Sequence, residues 1–401
     1  MIDQALIDAC THCGFCLPTC PTYGPLWQQE ADSPRGRIYL MQGLLDGSVT
    51  PTAGAVEHFD RCLGCMACVT ACPSGVQYDR LIEQARAYVE ERYERPPDEW
   101  LVRALIFATV PHPRRMRAVL PLGRLGRRLP LPRTLRPFAE LAPPWASGVR
   151  PPEVTPARGR RRMRVGLLTG CVQRVLFGDV NQATARVLAA DGCEVVTPRR
   201  QGCCGALHLH AGRPDEGRAR ARRLEEVFRK FGVEALAVNA AGCGSHLKDA
   251  GLELPVFDLT ELSAELGPRA RRRRLPLRVA FQDSCHLVHA QGIREAPRAF
   301  IGGVPGAEVA EPAEQAICCG SAGIYNLVQP EAARELGDRK ARHVLATEPD
   351  VYAAANPGCL VQVTAALRRA GNPLPALHPV ELVDASIRGI DAAELLRAAR
   401  R

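Results

Sequence analysis

The sequence lacks the signatures of several protein classes. Its longest apolar stretch, Leu101 to Val110, is interrupted by Arg103 and is too short to span a bilayer. No charged start followed by an apolar run opens the chain, so we expect no secretory signal and a cytoplasmic location. No Gly-rich dinucleotide loop, P-loop or convincing pair of nucleophile and base is present either. These absences argue against a self-contained active site.

Aromatic residues are scarce, at 5% of 401 residues, and no stacking pattern accompanies the net charge of +9. Nucleic-acid binding therefore fits the sequence poorly. The arginines are bunched at 158–164, at 271–274 and between Arg114 and Arg136. The plainest interpretation of the first two bunches is a solvated linker at a domain edge. An acidic protein partner or an anionic membrane surface is a better match for the charge than a nucleic acid.

Cysteine is abundant, with 17 residues, and in a reducing compartment this number favours metal binding over disulfides. Residues 10–21 and 62–73 each read C-x2-C-x2-C-x3-C-P. This spacing wraps a loop around a 4Fe-4S cluster, and the fourth cysteine of each run ligates the other cluster. Two zinc knuckles are the alternative, but the full run followed by proline, found twice, disfavours them. The predicted ligand sets are Cys10, Cys13, Cys16 and Cys72 for one cluster and Cys62, Cys65, Cys68 and Cys20 for the other.

Apolar residues around the two runs recur at helical spacing, for example at Tyr78, Leu81, Ile82, Ala85 and Val89. Residues 1–95 are therefore predicted to form an α-helical ferredoxin domain with two 4Fe-4S clusters. Residues 96–163 form a linker rich in proline and arginine with a weak amphipathic rhythm. Two interpretations of this linker stay open. It is a basic amphipathic segment that rests on a membrane or a partner, or a set of short helices packed on the chain's own domains.

The remaining chain is an internal duplication of alternating strands and helices, at 164–270 and 271–401. Matched cysteines of the two copies are offset by 114, 115 and 116 residues. The alternation predicts two α/β domains with parallel sheets, whose strand carboxyl ends gather in one crevice. Cys193 stands outside the pattern and is expected to be a small core residue. The thiols predicted to converge are Cys171, Cys203, Cys204 and Cys243 in the first copy and Cys285, Cys318, Cys319 and Cys359 in the second.

The duplicated Cys-Cys-Gly pattern resembles the cysteine-rich domain of heterodisulfide reductases, anaerobic glycerol-3-phosphate dehydrogenase and the glycolate oxidase iron-sulfur subunit. Further stretches look like the glycolate oxidase family over nearly the whole chain. They include His12 to Cys16, Cys20 to Tyr23, Ser33 to Leu40, Asp60 to Cys62, Cys72 to Tyr78 and Cys318 to Asn326.

The resemblance implies an electron-transfer subunit with no catalytic residue of its own. It would associate with FAD-binding subunits that oxidise glycolate to glyoxylate, and would pass electrons to a quinone or another membrane acceptor. Peripheral attachment to the inner face of the cell membrane would follow. The thiols of one repeat could hold a third iron-sulfur cluster or a zinc ion. The second repeat is the favoured candidate because its local sequence matches the family more closely.

Other functions compete with this interpretation. The chain could serve an anaerobic glycerol-3-phosphate or lactate dehydrogenase, or could itself be a thiol or disulfide reductase. It could also be a carrier or assembly module with structural zinc. In heterodisulfide reductases each repeat ends in C-x-x-C, whereas here His246 and Gln362 occupy the last position. Direct disulfide reduction is therefore disfavoured.

Overall fold

The computed structural model describes residues 2–132 and 134–399. The N-terminal part is helical, as predicted, and is built around an apolar core from Ile38, Met41, Phe59, Leu81 and Ile82. A short π-helix at Thr22–Trp27 and a 3-10 turn at Glu30–Asp32 join its first and second helices. The helices are α1 (Gln4–Asp8), α2 (Pro34–Asp46), α3 (Ala53–Arg61), α4 (Ala67–Thr70) and α5 (Tyr78–Arg92).

The proline-rich linker is largely helical. Proline occupies the first helical position of α6 (Pro97–Thr109) and α7 (Pro113–Gly126), where its missing N–H is not needed. The short α8 (Arg136–Leu141) follows. Residues Val154–Thr155, inside the segment assigned to the linker, form strand β1 and pair antiparallel with the first repeat. The linker therefore contributes an edge strand to the next sheet.

The first repeat is a five-stranded sheet with the order β1-β3-β2-β4-β5, parallel except for β1. Its interior strand β4 is buried along its whole Ala-Leu-Ala-Val run, as expected for a parallel sheet covered on both faces. The strands are β2 (Met163–Leu168), β3 (Cys193–Val196), β4 (Ala235–Val238) and β5 (Val256–Asp258). The helices are α9 (Val172–Leu176), α10 (Gly178–Ala190), α11 (Ala206–His210), α12 (Pro214–Arg229), α13 (Ala241–Asp249) and α14 (Leu259–Leu266).

The second repeat has the same strand order, β7-β6-β8-β9, and is parallel throughout. A short π-helix at His286–Ala290 replaces the first helix of the unit. The strands are β6 (Leu277–Gln282), β7 (Ala307–Ala310), β8 (Val351–Ala354) and β9 (Ala376–Leu377). The helices are α15 (Glu295–Gly302), α16 (Tyr325–Val328), α17 (Pro330–Leu345), α18 (Pro357–Arg369), α19 (Pro379–Arg388) and α20 (Ala392–Ala399).

The two repeats share one apolar core. Helix α10 of the first repeat packs on α19 of the second, and Arg186 forms a salt bridge with Asp384 across this contact at 2.6 Å. Cys193 is fully buried in the shared core, which confirms its predicted role. The predicted fold class, a helical module followed by two parallel α/β repeats, is confirmed. In the described part of the chain, no helix is long and apolar enough to cross a membrane.

Candidate metal centres

The thiols of Cys10, Cys13, Cys16 and Cys72 line one cavity at the edge of the helical module. The loop that carries the first three turns through left-handed backbone at His12 and Gly14, with φ of 53° and 86°. Phe15, between two of the thiols, is 67% exposed. The backbone N–H of Val76 donates to Cys72 Sγ at 3.5 Å. The predicted first ligand set thus lies together at the surface.

The other four thiols of the module, Cys20, Cys62, Cys65 and Cys68, are buried. Burial raises the pKa of Cys65 and Cys68, and neighbouring thiols of the group raise it further. Burial also opposes ionisation of Cys62, but the guanidinium groups of Arg37 and Arg86 outweigh it and lower the pKa of that thiol. A ligand to iron must be a thiolate, so these two cations favour metal binding.

Arg37 is fully buried beside the second thiol group. Its Nε donates to the carbonyl of His58 at 2.5 Å, and its Nη1 donates to Thr22 Oγ1 at 3.1 Å. The carboxylate of Asp32, also buried, lies 3.5 Å from Nη2. A hydrogen bond of 3.4 Å from the N–H of Gly64 and one of 3.8 Å from Tyr78 reach Cys62 Sγ. Hydrogen bonds and charge next to the sulfur atoms are the means by which a protein sets a cluster's potential.

Each residue of the segment Ser33-Pro-Arg-Gly-Arg37 has its own structural role. Ser33 caps α2 by accepting from the N–H of Gly36 at 3.0 Å, and Pro34 is the first helical residue. A Cβ on Gly36 would lie 1.9 Å from the carbonyl oxygen of Glu30, so only glycine fits. Arg35 donates to the carbonyl of His12 in the first thiol loop. The segment therefore supports both thiol groups.

In the first repeat the four thiols form a chain of contacts at the carboxyl ends of β2, β3 and β4. Cys203 Sγ lies 3.8 Å from Cys171 Sγ, and Cys204 contacts both Cys203 and Cys243. The pKa of Cys203 is lowered well below its usual value by its hydrogen bonds with Cys171 and Cys204. The pKa of Cys171 is raised by the same contact with Cys203 and by burial. The four predicted residues are thus brought together.

The second repeat repeats this chain of contacts through Cys285, Cys318, Cys319 and Cys359. Asn356 Nδ2 donates to Cys359 Sγ at 3.4 Å. The glycine after each cysteine pair has positive φ, and a Cβ there would meet the backbone of α12 at 2.3 Å for Gly205 and that of α17 at 2.6 Å for Gly320. Close approach of these helices explains the glycine of Cys-Cys-Gly.

One buried side chain distinguishes the two repeats. Helices α12 and α17 are both 16 residues long and begin at Pro214 and Pro330, so Lys340 occupies the position of Leu224. Leu224 packs in the apolar cluster of Cys203 and Cys204. Burial lowers the pKa of Lys340, while Cys319, Cys318 and Cys359 act in the opposite direction. Its ammonium also donates to the carbonyl of Glu314. The second repeat therefore presents a cation to its thiols.

The second repeat also lies against the helical module. Cys65 and Cys318 pack in one apolar cluster with Cys285 at its edge. Burial raises the pKa of Cys65, and the neighbouring thiol of Cys318 raises it further. Cys16, in turn, acts on the pKa of Cys68. Three thiol groups thus follow one another from the exposed loop at Cys13 to the interior of the second repeat. Cys203 instead interacts electrostatically with His208, His246 and Arg174 of its own repeat.

His246 and Gln362 occupy equivalent positions, one turn after Cys243 and Cys359. His246 Nε2 lies 3.3 Å from the carbonyl oxygen of Gly217, and Gln362 Nε2 donates to the carbonyl of Ala333 at 2.7 Å. His246 therefore ties α13 to α12, and Gln362 ties α18 to α17. Within the described residues, no three His, Cys, Asp or Glu side chains close around a point at the distances of a single ion.

Sequence patterns did not point to the roles of Arg37 or Lys340. The available signal was a charged residue on an apolar helix stripe, since Arg37 precedes Met41 and Leu44 at spacings of four and seven. Lys340 likewise lies between the buried Leu336 and Val344.

Comparison with known proteins shows matches along the chain. Residues 6–76 match the family model of a 4Fe-4S dicluster domain, and 165–248 and 279–364 each match a cysteine-rich domain. A probable glycolate oxidase iron-sulfur subunit of Bacillus subtilis is 34% identical, over 95% of this chain and 94% of its own. The glycolate oxidase iron-sulfur subunit of Escherichia coli is 34% identical, over 96% and 95%.

More distant relatives cover part of the chain. Lactate utilization protein A of Oceanobacillus iheyensis is 28% identical, over 57% of this chain and 99% of its own. A crystal structure of a hypothetical protein from Helicobacter pylori is similar with a TM-score of 0.57 and 8% identity, over 90% of this chain and 69% of that one. This last likeness concerns the fold alone.

Proposed function

Because the chain belongs to the family of glycolate oxidase iron-sulfur subunits, we propose that it is the electron-transfer subunit of a flavin-dependent dehydrogenase. The expected reaction of the complex is oxidation of glycolate to glyoxylate on FAD held by a partner subunit. The observation that carries this proposal is the row of three thiol groups that begins at an exposed loop and ends inside the second repeat.

Cys10, Cys13, Cys16 and Cys72 would hold one 4Fe-4S cluster, and Cys62, Cys65, Cys68 and Cys20 a second. Such clusters supply centres that accept and release single electrons. The donor set fits, since each set gathers four thiols and the second is flanked by two guanidinium groups. The second repeat, through Cys285, Cys318, Cys319 and Cys359, is the proposed third metal site. Lys340 and the contact with Cys65 favour it over the first repeat.

The residues around the thiols have distinct tasks in this function. The loop at Phe15 brings the first thiol group to the surface, where a flavin-bearing partner can approach it. Arg37, Arg86 and Tyr78 place positive charge and a hydrogen-bond donor beside Cys62, which favours the more negative, reduced state of a bound group. Burial of the second group excludes water from its sulfur atoms.

The final acceptor is proposed to be a quinone at the inner face of the cell membrane. The same role with lactate is the second candidate substrate, because lactate utilization proteins are among the relatives. Direct reduction of disulfides has less support, since His246 and Gln362 are engaged with backbone carbonyls.

Anaerobic capture of the chain from native extract tests the proposal. The captured complex is scanned for flavin absorbance and assayed for dye reduction with glycolate, D-lactate and glycerol 3-phosphate. We expect flavin to co-purify and glycolate to give the fastest reduction. A chain that carries no flavin and yet reduces a disulfide would contradict the proposal and would transfer the chemistry to the Cys-Cys-Gly repeats.

A further inference from the structure

Exposed apolar side chains are concentrated on the linker helices. Of the twelve large hydrophobic side chains that are exposed in the described residues, eight lie between residues 100 and 135. Trp100 is 63% exposed and Leu122 is 68% exposed. Positions three, four and seven apart share one side of a helix, so these residues form a stripe on α6 and another on α7. The outer face consists of Trp100, Leu101 and Leu105 of α6, Val119, Leu122 and Leu125 of α7, and Leu129.

The opposite sides of the two helices are fixed to the rest of the molecule. Ile106 is fully buried in a cluster with Ala211 and Ile324, one residue from each repeat. Met116 and Leu120 pack against the shared core of the repeats. The structure therefore agrees with short helices packed on the chain's own domains, and it leaves the interpretation as a membrane- or partner-binding segment to be tested. Its inner side packs on the chain's own domains, and its outer face is apolar, basic and open.

The charge around the outer face is mainly positive. Residues 100–139 contain nine arginines and no aspartate or glutamate. The exposed acids Asp98 and Glu99 lie at the start of α6, where Glu99 is paired with Arg95. Arg103 is paired with Asp60 on the inner side. Arg114, Arg115 and Arg128 are exposed, and none of them forms a salt bridge within the part of the chain that the structure describes. An apolar stripe bordered by unpaired arginines is the pattern of a helix that lies in a membrane interface.

We propose that the outer face docks on a bilayer that contains anionic phospholipid. The leucines and Trp100 would enter the boundary between headgroups and acyl chains, and Arg114, Arg115 and Arg128 would contact lipid phosphates. Charge complementarity selects this occupant, because a second copy of the chain would oppose arginine with arginine. The outer face is held in a fixed position, because Ile106 of α6 and Met116 of α7 pack against the repeats.

Docking in this way would turn the second thiol group towards the membrane. Arg103 of α6 lines the same cavity as Cys62, together with Tyr325 of the second repeat. A lipid-dissolved acceptor would therefore meet the molecule on the side where the thiol row passes behind α6. This link to the acceptor rests on the proposed function, whereas binding to lipid does not.

Co-sedimentation of the full chain with vesicles, without partner or substrate, tests the docking. One vesicle preparation contains phosphatidylglycerol and phosphatidylcholine in equal parts, and the other contains phosphatidylcholine alone. We expect sedimentation with the first preparation, and little with the second. Added salt should weaken the binding, because it screens the arginines. Failure of the proposed function would leave these results unchanged.

Paired variants separate the two components of the face. Leu122→Glu with Leu125→Glu should weaken partitioning at least about tenfold, because the apolar stripe is lost. Arg114→Ser with Arg115→Ser should weaken it roughly 25-fold, at about fivefold for each arginine. Val149→Glu, an exposed apolar position elsewhere, is the control and should bind like the parent chain.

Iron content and the circular dichroism spectrum check that each variant folds. The proposal is overturned if the chain ignores anionic vesicles at low salt, or if the paired variants bind as the parent does. It is also overturned if those variants keep vesicle binding but lose the flavin-bearing partner, because the face would then be a protein interface.

Discussion

The two repeats carry the same fold and the same four thiols, yet they place them in different surroundings. The thiols of the second repeat contact Cys65 of the helical module and face the buried ammonium of Lys340. Those of the first repeat face Leu224 and the histidines of their own domain. Duplication thus preserved the backbone that gathers the thiols, and the side chains around them determine which group can join the electron path.

The largest expected effect comes from removing one thiol in each repeat. Cys318→Ser should remove the proposed metal of the second repeat and slow electron delivery to the acceptor on the order of a hundredfold or more. Cys203→Ser, the matching substitution in the first repeat, should change neither the metal content nor the rate of electron delivery. We would measure the iron content and visible absorption of each variant, and acceptor reduction by the reconstituted complex. Equal losses in both variants would contradict the difference between the repeats.

A smaller effect should follow from the buried lysine. Lys340→Met keeps the length of the side chain and removes its charge, so the second repeat should hold its metal about tenfold more weakly. Leu224→Met conserves volume in the first repeat and should cost less than about 1.5 kcal/mol without changing metal content. Metal retained after anaerobic dialysis against a chelator is compared between the two. A loss in Leu224→Met would show that packing, not charge, is responsible.

Sequence spacing was sufficient to group the thiols, because each cysteine run and each strand-end loop is local in the chain. The distant members of each group followed from crossed cluster ligation and from the common edge at which parallel strands end. The strands and helices of each repeat followed from the same local patterns. The shared core of α10 and α19 was not predictable, since that contact joins residues 198 positions apart, as Arg186 and Asp384 show. The burial of Arg37 and Lys340 depends in the same way on which distant side chains close over them.

The two helix caps at the carboxyl end of each repeat should respond oppositely to pH. Asp258 caps α14 and His378 caps α19, each within a capping box. Burial raises the pKa of Asp258 to about 6 and lowers that of His378 to about 3. The stability that Asp258 contributes is therefore lost as pH rises from about 4 through about 6. That of His378, whose Nδ1 accepts from the N–H of Val380, is lost as pH falls from about 6.5 through about 3.

Amide hydrogen exchange of α14 and α19, followed from pH 3 to pH 7 and corrected for intrinsic rates, measures these changes. We expect a change of about 3 kcal/mol for Asp258 and about 5 kcal/mol for His378. Asp258→Asn and His378→Asn keep a good capping residue and should flatten the profile of the corresponding helix only. If the stability of α14 and α19 changed with pH in the same direction in the parent chain, the opposite roles of Asp258 and His378 would be contradicted.

The smallest effect is expected at the position where the repeats carry different side chains that make equivalent hydrogen bonds. His246 and Gln362 bind equivalent backbone carbonyls, so exchanging them by His246→Gln and Gln362→His should change stability by about 1 kcal/mol or less. Metal content should not change. Denaturant unfolding under anaerobic conditions measures the first quantity, and loss of metal from either variant would identify the replaced side chain as a ligand.

The most direct test of the electron path is rapid mixing of the reconstituted complex with glycolate, with flavin absorbance and acceptor reduction recorded together. Cys13→Ser and Cys65→Ser interrupt the first and second thiol groups, and Cys193→Ala, outside all groups, is the matched control. We expect both serine variants to reduce flavin at the parental rate and to deliver no electrons to the acceptor, while the control behaves like the parent. Sustained acceptor reduction in both serine variants would show that electrons do not pass through this chain.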